Sequence, residues 1–265
     1  MSSAHSIKQK LLCGGYILNK HGFGRATFFV SCFLLVSVIL AAIATVSARI
    51  FISEAESASA GEGQKPLPTV IIDAGHGGRD GGASADDGTL EKALNLAVAK
   101  KLERLFSDAG YKTVMTRTED VALGDENSSH KKLDDLRARV ELAKEYENAI
   151  FISVHMNKFP VPKYSGLCVY FSKKTAGSPA LAEEVRMTVA ASLQKENSRQ
   201  IKGAGSEIYV LDNAPCTAIL VECGFLSNPS ELAMLKTEEY QSKIAACIFT
   251  GAANYMSKTI TEEVN

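Results

Sequence analysis

The chain has 265 residues, 46% of them hydrophobic, and a formal net charge of -1. That is enough apolar material for one domain with a sizeable core in addition to a leader. So even a charge balance lacks the basic footprint of a nucleic-acid binder, and no nucleic-acid partner is expected.

In chain order, residues 1-25 carry Lys8, Lys10, Lys20 and Arg25 and read as a cytoplasmic n-region. Ala26 to Ala48 then run without a charge, a stretch that as a helix would be roughly 35 Å long and would cross a bilayer core. Residues 26-52 are therefore expected to be a signal or transmembrane anchor. Val46-Ser-Ala48 and Ala58-Ser-Ala60 resemble small-residue cleavage sites, whereas an apolar run longer than a usual signal-peptide core favours an uncleaved anchor. The positive flank precedes the span, so the rest of the chain is expected outside the cytoplasmic face, exported and either anchored or secreted. Residues 53-68, rich in Ser, Ala, Glu, Gly and Pro, have the composition of a linker.

After the linker, strands are expected over 69–73, 112–116, 149–155, 166–171, 208–211 and 217–222. Helices are expected over 90–108, 133–146, 178–195, 229–236 and 238–256. The first helix sets Leu94, Val98, Leu102 and Phe106 at four-residue intervals, one apolar stripe for packing on a sheet. This alternation predicts an α/β fold with a twisted, largely parallel sheet and helices on both faces. Cys168, Cys216, Cys223 and Cys247 have no Cys-x-x-Cys spacing and mostly apolar neighbours, so they are expected to be buried free thiols. Cys13 and Cys32 are given no role.

Four residues stand where such a fold places ligands, beyond the carboxyl ends of its strands. His76 follows an apolar run in a Gly-rich turn, Thr69-Val-Ile-Ile-Asp-Ala-Gly-His76-Gly-Gly; His155 ends Ala149-Ile-Phe-Ile-Ser-Val-His155; Glu222 ends Ala218-Ile-Leu-Val-Glu222. Glu91 reaches the same edge from the first turn of a helix, where the helix dipole favours a carboxylate. A lone histidine in a glycine turn is more often structural than a ligand. His155, however, shares a strand face with Ser153 and Asn157 while Ile152, Val154 and Met156 take the other. Glu222 after four apolar residues is costly unless a metal, a cation or a function explains it. Two histidines and a carboxylate are the ligand set of a hydrolytic zinc ion with an open position, and a further carboxylate beside it is the usual base. Asn95, one turn from Glu91, and Asn157, beside His155, suit contacts to a ligand or to substrate. His5, His21 and His130 are given no role.

These segments carry a family resemblance. Asp73-Ala-Gly-His-Gly-Gly78, Leu90-Glu-Lys-Ala-Leu-Asn95, Thr116-Arg117, Ile152-Ser-Val-His-Met-Asn157 and Val221-Glu-Cys-Gly-Phe-Leu-Ser-Asn-Pro229 resemble, in order, the N-acetylmuramoyl-L-alanine amidase family (amidase type 3). The resemblance covers residues 69-258, leaving 259-265 as a C-terminal tail. It implies a phosphorylase/hydrolase-like zinc amidase fold, one Zn2+ per chain held by His76, Glu91 and His155, and Glu222 as the catalytic residue. The implied substrate is the peptidoglycan glycan strand with its stem peptide, cut between muramic acid and L-alanine. Lys131 to Leu142, after a long connector, resembles the germination-specific, spore-cortex branch. That branch implies action at the forespore envelope or cortex as the first step toward muramic-δ-lactam, with an activating sporulation protein as partner. A vegetative amidase of cell separation or autolysis and an inert wall- or partner-binding module are the alternatives. Arg117 and Arg139 match the family pattern and are expected to pair within the scaffold. The connector over 118–135 is either a plain surface loop or a partner-binding or gating loop.

Overall fold

The computed structural model describes residues 66–264 apart from Glu126. The expected n-region, the anchor and the linker as far as Lys65 lie outside the described residues. Among the described residues no helix is long and apolar enough to cross a membrane.

The strands are β1 (Thr69–Ala74), β2 (Thr113–Met115), β3 (Ala149–Asn157), β4 (Cys168–Phe171), β5 (Lys202–Gly203) and β6 (Thr217–Phe225). The helices are α1 (Glu91–Asp108), α2 (Lys131–Lys144), α3 (Ser178–Ser192), α4 (Tyr209–Asn213), α5 (Pro229–Leu235) and α6 (Glu238–Val264). The six strands form one sheet in the order β2-β1-β3-β6-β4-β5. Every pairing is parallel except β4 with β6. β1 is buried along its whole length, as its unbroken Thr-Val-Ile-Ile run requires of a central parallel strand covered on both faces.

Alternation along each strand divides the core in two. Val70, Ile72, Ile152, Val154 and Val221 face a core built with α1, α3 and α6. Leu94, Val98, Leu102 and Phe106 of α1 pack into it as the four-residue spacing predicts, each such burial contributing about 1.5–3 kcal/mol. Ile71, Phe151, Ala218 and Leu220 face the other way, where Val140 and Ala143 of α2 and Val210 and Leu211 of α4 cover them. Cys223 belongs to the first core, on the sheet face opposite Glu222; Cys168, Cys216 and Cys223 are buried free thiols, whereas Cys247 is free but only half-buried.

Two expectations are corrected. The run over 208–211 forms helix α4 rather than a strand. β5, two residues that the sequence did not mark, takes the sheet edge beside β4. The apolar run then lies over the sheet face, where Val210 and Leu211 are buried against the second core; so short a run carries no period that separates helix from strand. The last helix does not stop at Met256 but continues to Val264 through the residues expected to be a tail, because nothing in Ser257-Lys-Thr-Ile-Thr-Glu-Glu-Val264 breaks a helix.

Strand order also fixes where a ligand can sit. The chain leaves β1 for β2 on one side and returns to β3 on the other, so loops diverge above the carboxyl ends of β1 and β3 and open the crevice typical of a switch in strand order.

Candidate metal centre and active site

His76 stands in that crevice just beyond β1, in the left-handed region at φ 61. A non-glycine residue there costs on the order of 1–3 kcal/mol and persists only if its surroundings hold it. Three groups do. Asp80 accepts from Nδ1 at 2.8 Å, which leaves Nε2 free to serve as a ligand. Arg139 Nη2 donates to the His76 carbonyl at 2.8 Å. The connector braces the following turn, with Gly78 N donating to Asp120 at 2.9 Å and Lys92 pairing with Asp120 at 2.7 Å.

Glu91 opens α1 and lies between the two histidines. His76 Nε2 is 3.3 Å from its Oε2 and His155 Nδ1 2.9 Å from its Oε1. Ala83 N donates to Oε2 at 2.8 Å, and Asn95 Nδ2 and Met156 N each donate to Oε1 at 3.2 Å. Burial alone would raise this carboxyl; hydrogen bonds and charge from His155 and His76 outweigh it and hold Glu91 well below the usual carboxylate range. The reciprocal effect appears on His76, where burial pulls the imidazole down but hydrogen bonds and charge from Glu91 and Asp80 raise it. Two glycines make the approach possible. A Cβ on Gly75 would fall 2.2 Å from His155 Nε2, and one on Gly82, at φ 66, 2.5 Å from Glu91 Oε2.

The ligand-type atoms of His76, Glu91 and His155 all lie within 4.8 Å of one another. Ligands on a tetrahedral zinc ion are ~3.3 Å apart given bond lengths near 2.0–2.1 Å, so this donor set fits the ion in kind and its atoms are near enough to converge on one centre. Glu222 is the register partner of His155 on β6. Its Oε2 is buried with no hydrogen-bond partner. Burial pushes the carboxyl up to about 7, with His155 acting against that rise and Glu91 adding to it.

The remaining candidates divide. Asn95 is fully buried and holds both Glu91 and the Gly75 carbonyl, the latter at 3.1 Å, a support for the ligand turn. Asn157 instead lines a neighbouring groove with Phe159, Tyr164 and Arg199. Arg139 pairs with Asp73 and Asp135 as expected. Arg117 holds backbone carbonyls of Ala74, Gly75, Lys92 and Glu119. Sequence reasoning passed over Asp80 and Asp73. Asp80 follows His76 by four residues within the same glycine turn, which could have signalled it; Asp73 was read only as the end of a strand. Asp73 accepts from Thr116 Oγ1 at 2.8 Å, Ser153 Oγ at 2.5 Å and Arg139 Nη1, forming a buried polar floor beneath the crevice.

Comparison with known proteins identifies the family. A family model described as N-acetylmuramoyl-L-alanine amidase matches residues 70–254. The germination-specific N-acetylmuramoyl-L-alanine amidase of Bacillus subtilis (strain 168) is 34% identical over 71% of this chain and 80% of its own length. N-acetylmuramoyl-L-alanine amidase LytC of the same strain is 31% identical over 71% of this chain and 35% of its own. Among solved structures, the CwlD amidase from Clostridioides difficile in complex with the GerS lipoprotein superposes with a TM-score of 0.69 at 35% identity, over 72% of this chain and 98% of that one. The fold described above matches that of the solved amidases, and the chain is an enzyme of the N-acetylmuramoyl-L-alanine amidase family.

Proposed function

We propose that the chain is a zinc-dependent amidase of the spore cortex, with His76, Glu91 and His155 as the metal ligands and Glu222 as the general acid and base. Amidase activity on cell-wall peptidoglycan comes with the family. The observation that carries the finer reading is the convergence of three ligand-type atoms within 4.8 Å beside a buried, unpartnered carboxyl oxygen on Glu222. Zinc, when bound, polarises the scissile carbonyl and makes water a usable nucleophile near neutral pH. Glu222 takes the proton of the attacking water and returns it to the departing L-alanine amine, a role favoured by a pKa near the operating pH. Asp80 keeps the His76 proton on Nδ1, and Asn95 orients Glu91.

The spore-cortex assignment is supported by likeness to the germination-specific enzyme, matched over 80% of its length, whereas LytC is matched over 35% of its own. It makes this enzyme the first step toward muramic-δ-lactam, acting in the envelope at the forespore. The solved CwlD amidase is in complex with a lipoprotein, which supports a protein partner for this chain, on this reading an activating sporulation protein. Residues 26-52 serve on this reading as the membrane anchor. The alternative is a vegetative amidase of cell separation or autolysis. Deleting the gene separates the two. The cortex reading expects near-normal growth and cell separation, with poorly germinating spores whose muropeptides lack the lactam. Chained vegetative cells with normal lactam would move the substrate to the growing wall.

A further inference from the structure

The sheet face that carries His155 and Glu222 continues sideways into a second group of side chains. Cys168 of β4 is the register partner of Glu222, and Lys202 of β5 that of Tyr170. Cys168, Tyr170 and Lys202, with Asn157 two positions beyond His155, line a groove of about 250 Å³. Cys168 lines the groove and pairs in register with Glu222, so the groove lies beside the crevice on the neighbouring strand.

The groove is cationic in a particular way. The Arg199 guanidinium lies 4.9 Å from the Phe225 ring centroid and 5.7 Å from that of Tyr164, and its Nε donates to the Ser165 carbonyl at 3.0 Å. Lys202 Nζ is 5.9 Å from the Tyr170 ring centroid. Among the described residues neither cation makes an ion pair. Stacking and the Ser165 link fix the plane of the Arg199 fork, and a fixed fork is suited to a planar carboxylate. The outer wall is apolar: Phe159 and Tyr164 pack edge to face at 5.0 Å and are 46% and 37% exposed. Neutral sugar rings offer no charge for two cations that make no ion pair, Arg199 having only the longer-range field of Glu231 beside it. A peptide that carries a carboxylate does.

We propose that this groove receives the peptide side of the scissile amide, with Arg199 and Lys202 as the specificity-determining residues that bind a carboxylate of the stem peptide. The inference rests on the amidase reading and deepens it. The test uses the full-length, zinc-loaded enzyme and two tetrasaccharide-borne muramoyl dipeptides, one ending in D-glutamate and the other in the same residue with both carboxyls amidated. The wild type is expected to favour the acidic peptide by about 10- to 100-fold in kcat/KM, the range of a charge-assisted hydrogen bond, with the difference carried mainly by KM. Arg199→Met should bring the ratio toward unity, Lys202→Met should lower it, and Arg199→Lys should restore part of it. A purely structural role for Arg199 would slow both peptides alike and leave the ratio unchanged. Melting curves and zinc content are measured beside the kinetics; if Arg199→Met fails to fold, the wild-type ratio and Lys202→Met decide. A wild-type ratio near unity, or a ratio preserved in folded variants at both positions, overturns the subsite and leaves the amidase assignment standing. Cleavage of neither peptide would take both readings down.

Discussion

Replacing Arg139 with Met tests whether the polar floor beneath the crevice holds the ligand turn in place. Arg139 is 1% exposed, and its guanidinium reaches Asp73, Asp135, the Ala74 carbonyl and the His76 carbonyl. Methionine fills much of the volume but leaves Asp73, also 1% exposed, without its ion-pair partner and with the Thr116 and Ser153 hydroxyls as its remaining side-chain donors. Removing one partner of a buried pair costs about 3–5 kcal/mol, a large part of the roughly 5–15 kcal/mol that keeps a domain folded. It also withdraws the donor that holds His76 in its left-handed conformation. For a domain of this size the melting midpoint should fall by about 6–20 °C.

The effect should depend on pH, with a definite sign. In the native protein burial raises the Asp73 carboxyl, and Arg139, Ser153, His155 and Thr116 outweigh it, so its folded pKa lies below the ordinary value. Its contribution is therefore present above the unfolded pKa of about 3.9 and is lost as pH falls through the folded value. Without Arg139, burial dominates and the folded pKa moves above the unfolded one, so the variant gains relative stability as pH falls. The deficit should be widest at neutral pH and narrow toward pH 4.5. Adding Asp73→Asn to Arg139→Met should recover part of the loss, since the uncompensated charge is then gone. Urea unfolding followed by circular dichroism, in chelator so that metal linkage does not enter, measures all three. A variant within 1 kcal/mol of wild type, or a deficit that is the same at pH 4.5 and 7.5, would refute the reasoning.

Two further outcomes test the site. His76→Ala and His155→Ala should each release zinc from the purified enzyme, and undiminished metal in both would remove them from the ligand set. Glu222→Gln should keep zinc and lose about 10²- to 10⁴-fold in rate, the usual yield of general acid and base help; near-normal turnover with metal bound would assign the proton transfer elsewhere. In metal-free protein the Glu222 carboxyl, raised to about 7, favours the folded state fully only below its unfolded pKa of about 4.3, and this contribution is lost as pH rises through 7. Metal-free Glu222→Gln should therefore be more stable than wild type at pH 8.5, and equal unfolding midpoints there would show that the carboxyl is not held in a dry environment.

What the sequence made legible follows from the kind of signal each residue carries. Long periodic elements were readable because burial of a stripe demands regular spacing: Leu94, Val98, Leu102 and Phe106 identify α1, and the unbroken run of β1 announces a strand covered on both faces. The crevice was readable for the same reason, since strand ends can be located from where apolar runs stop, and His76, His155 and Glu222 all stand at or just after such stops. The supporting contacts were not. That Asp73 would meet Arg139 across sixty-six positions, or that Arg139 would reach the His76 carbonyl, depends on how α2 lies across the sheet, and no local pattern encodes that. The 208–211 run misled because four apolar residues fit helix and strand equally; in the fold it is helical with Val210 and Leu211 buried against the second core, while β5 pairs with β4. Arg199 shows the same limit at the substrate side. In the sequence it is one basic residue among polar neighbours; only the sheet register that sets Cys168 opposite Glu222, and the folding of Phe225 and Tyr164 around the guanidinium, turns it into a stacked cation in a groove beside Glu222.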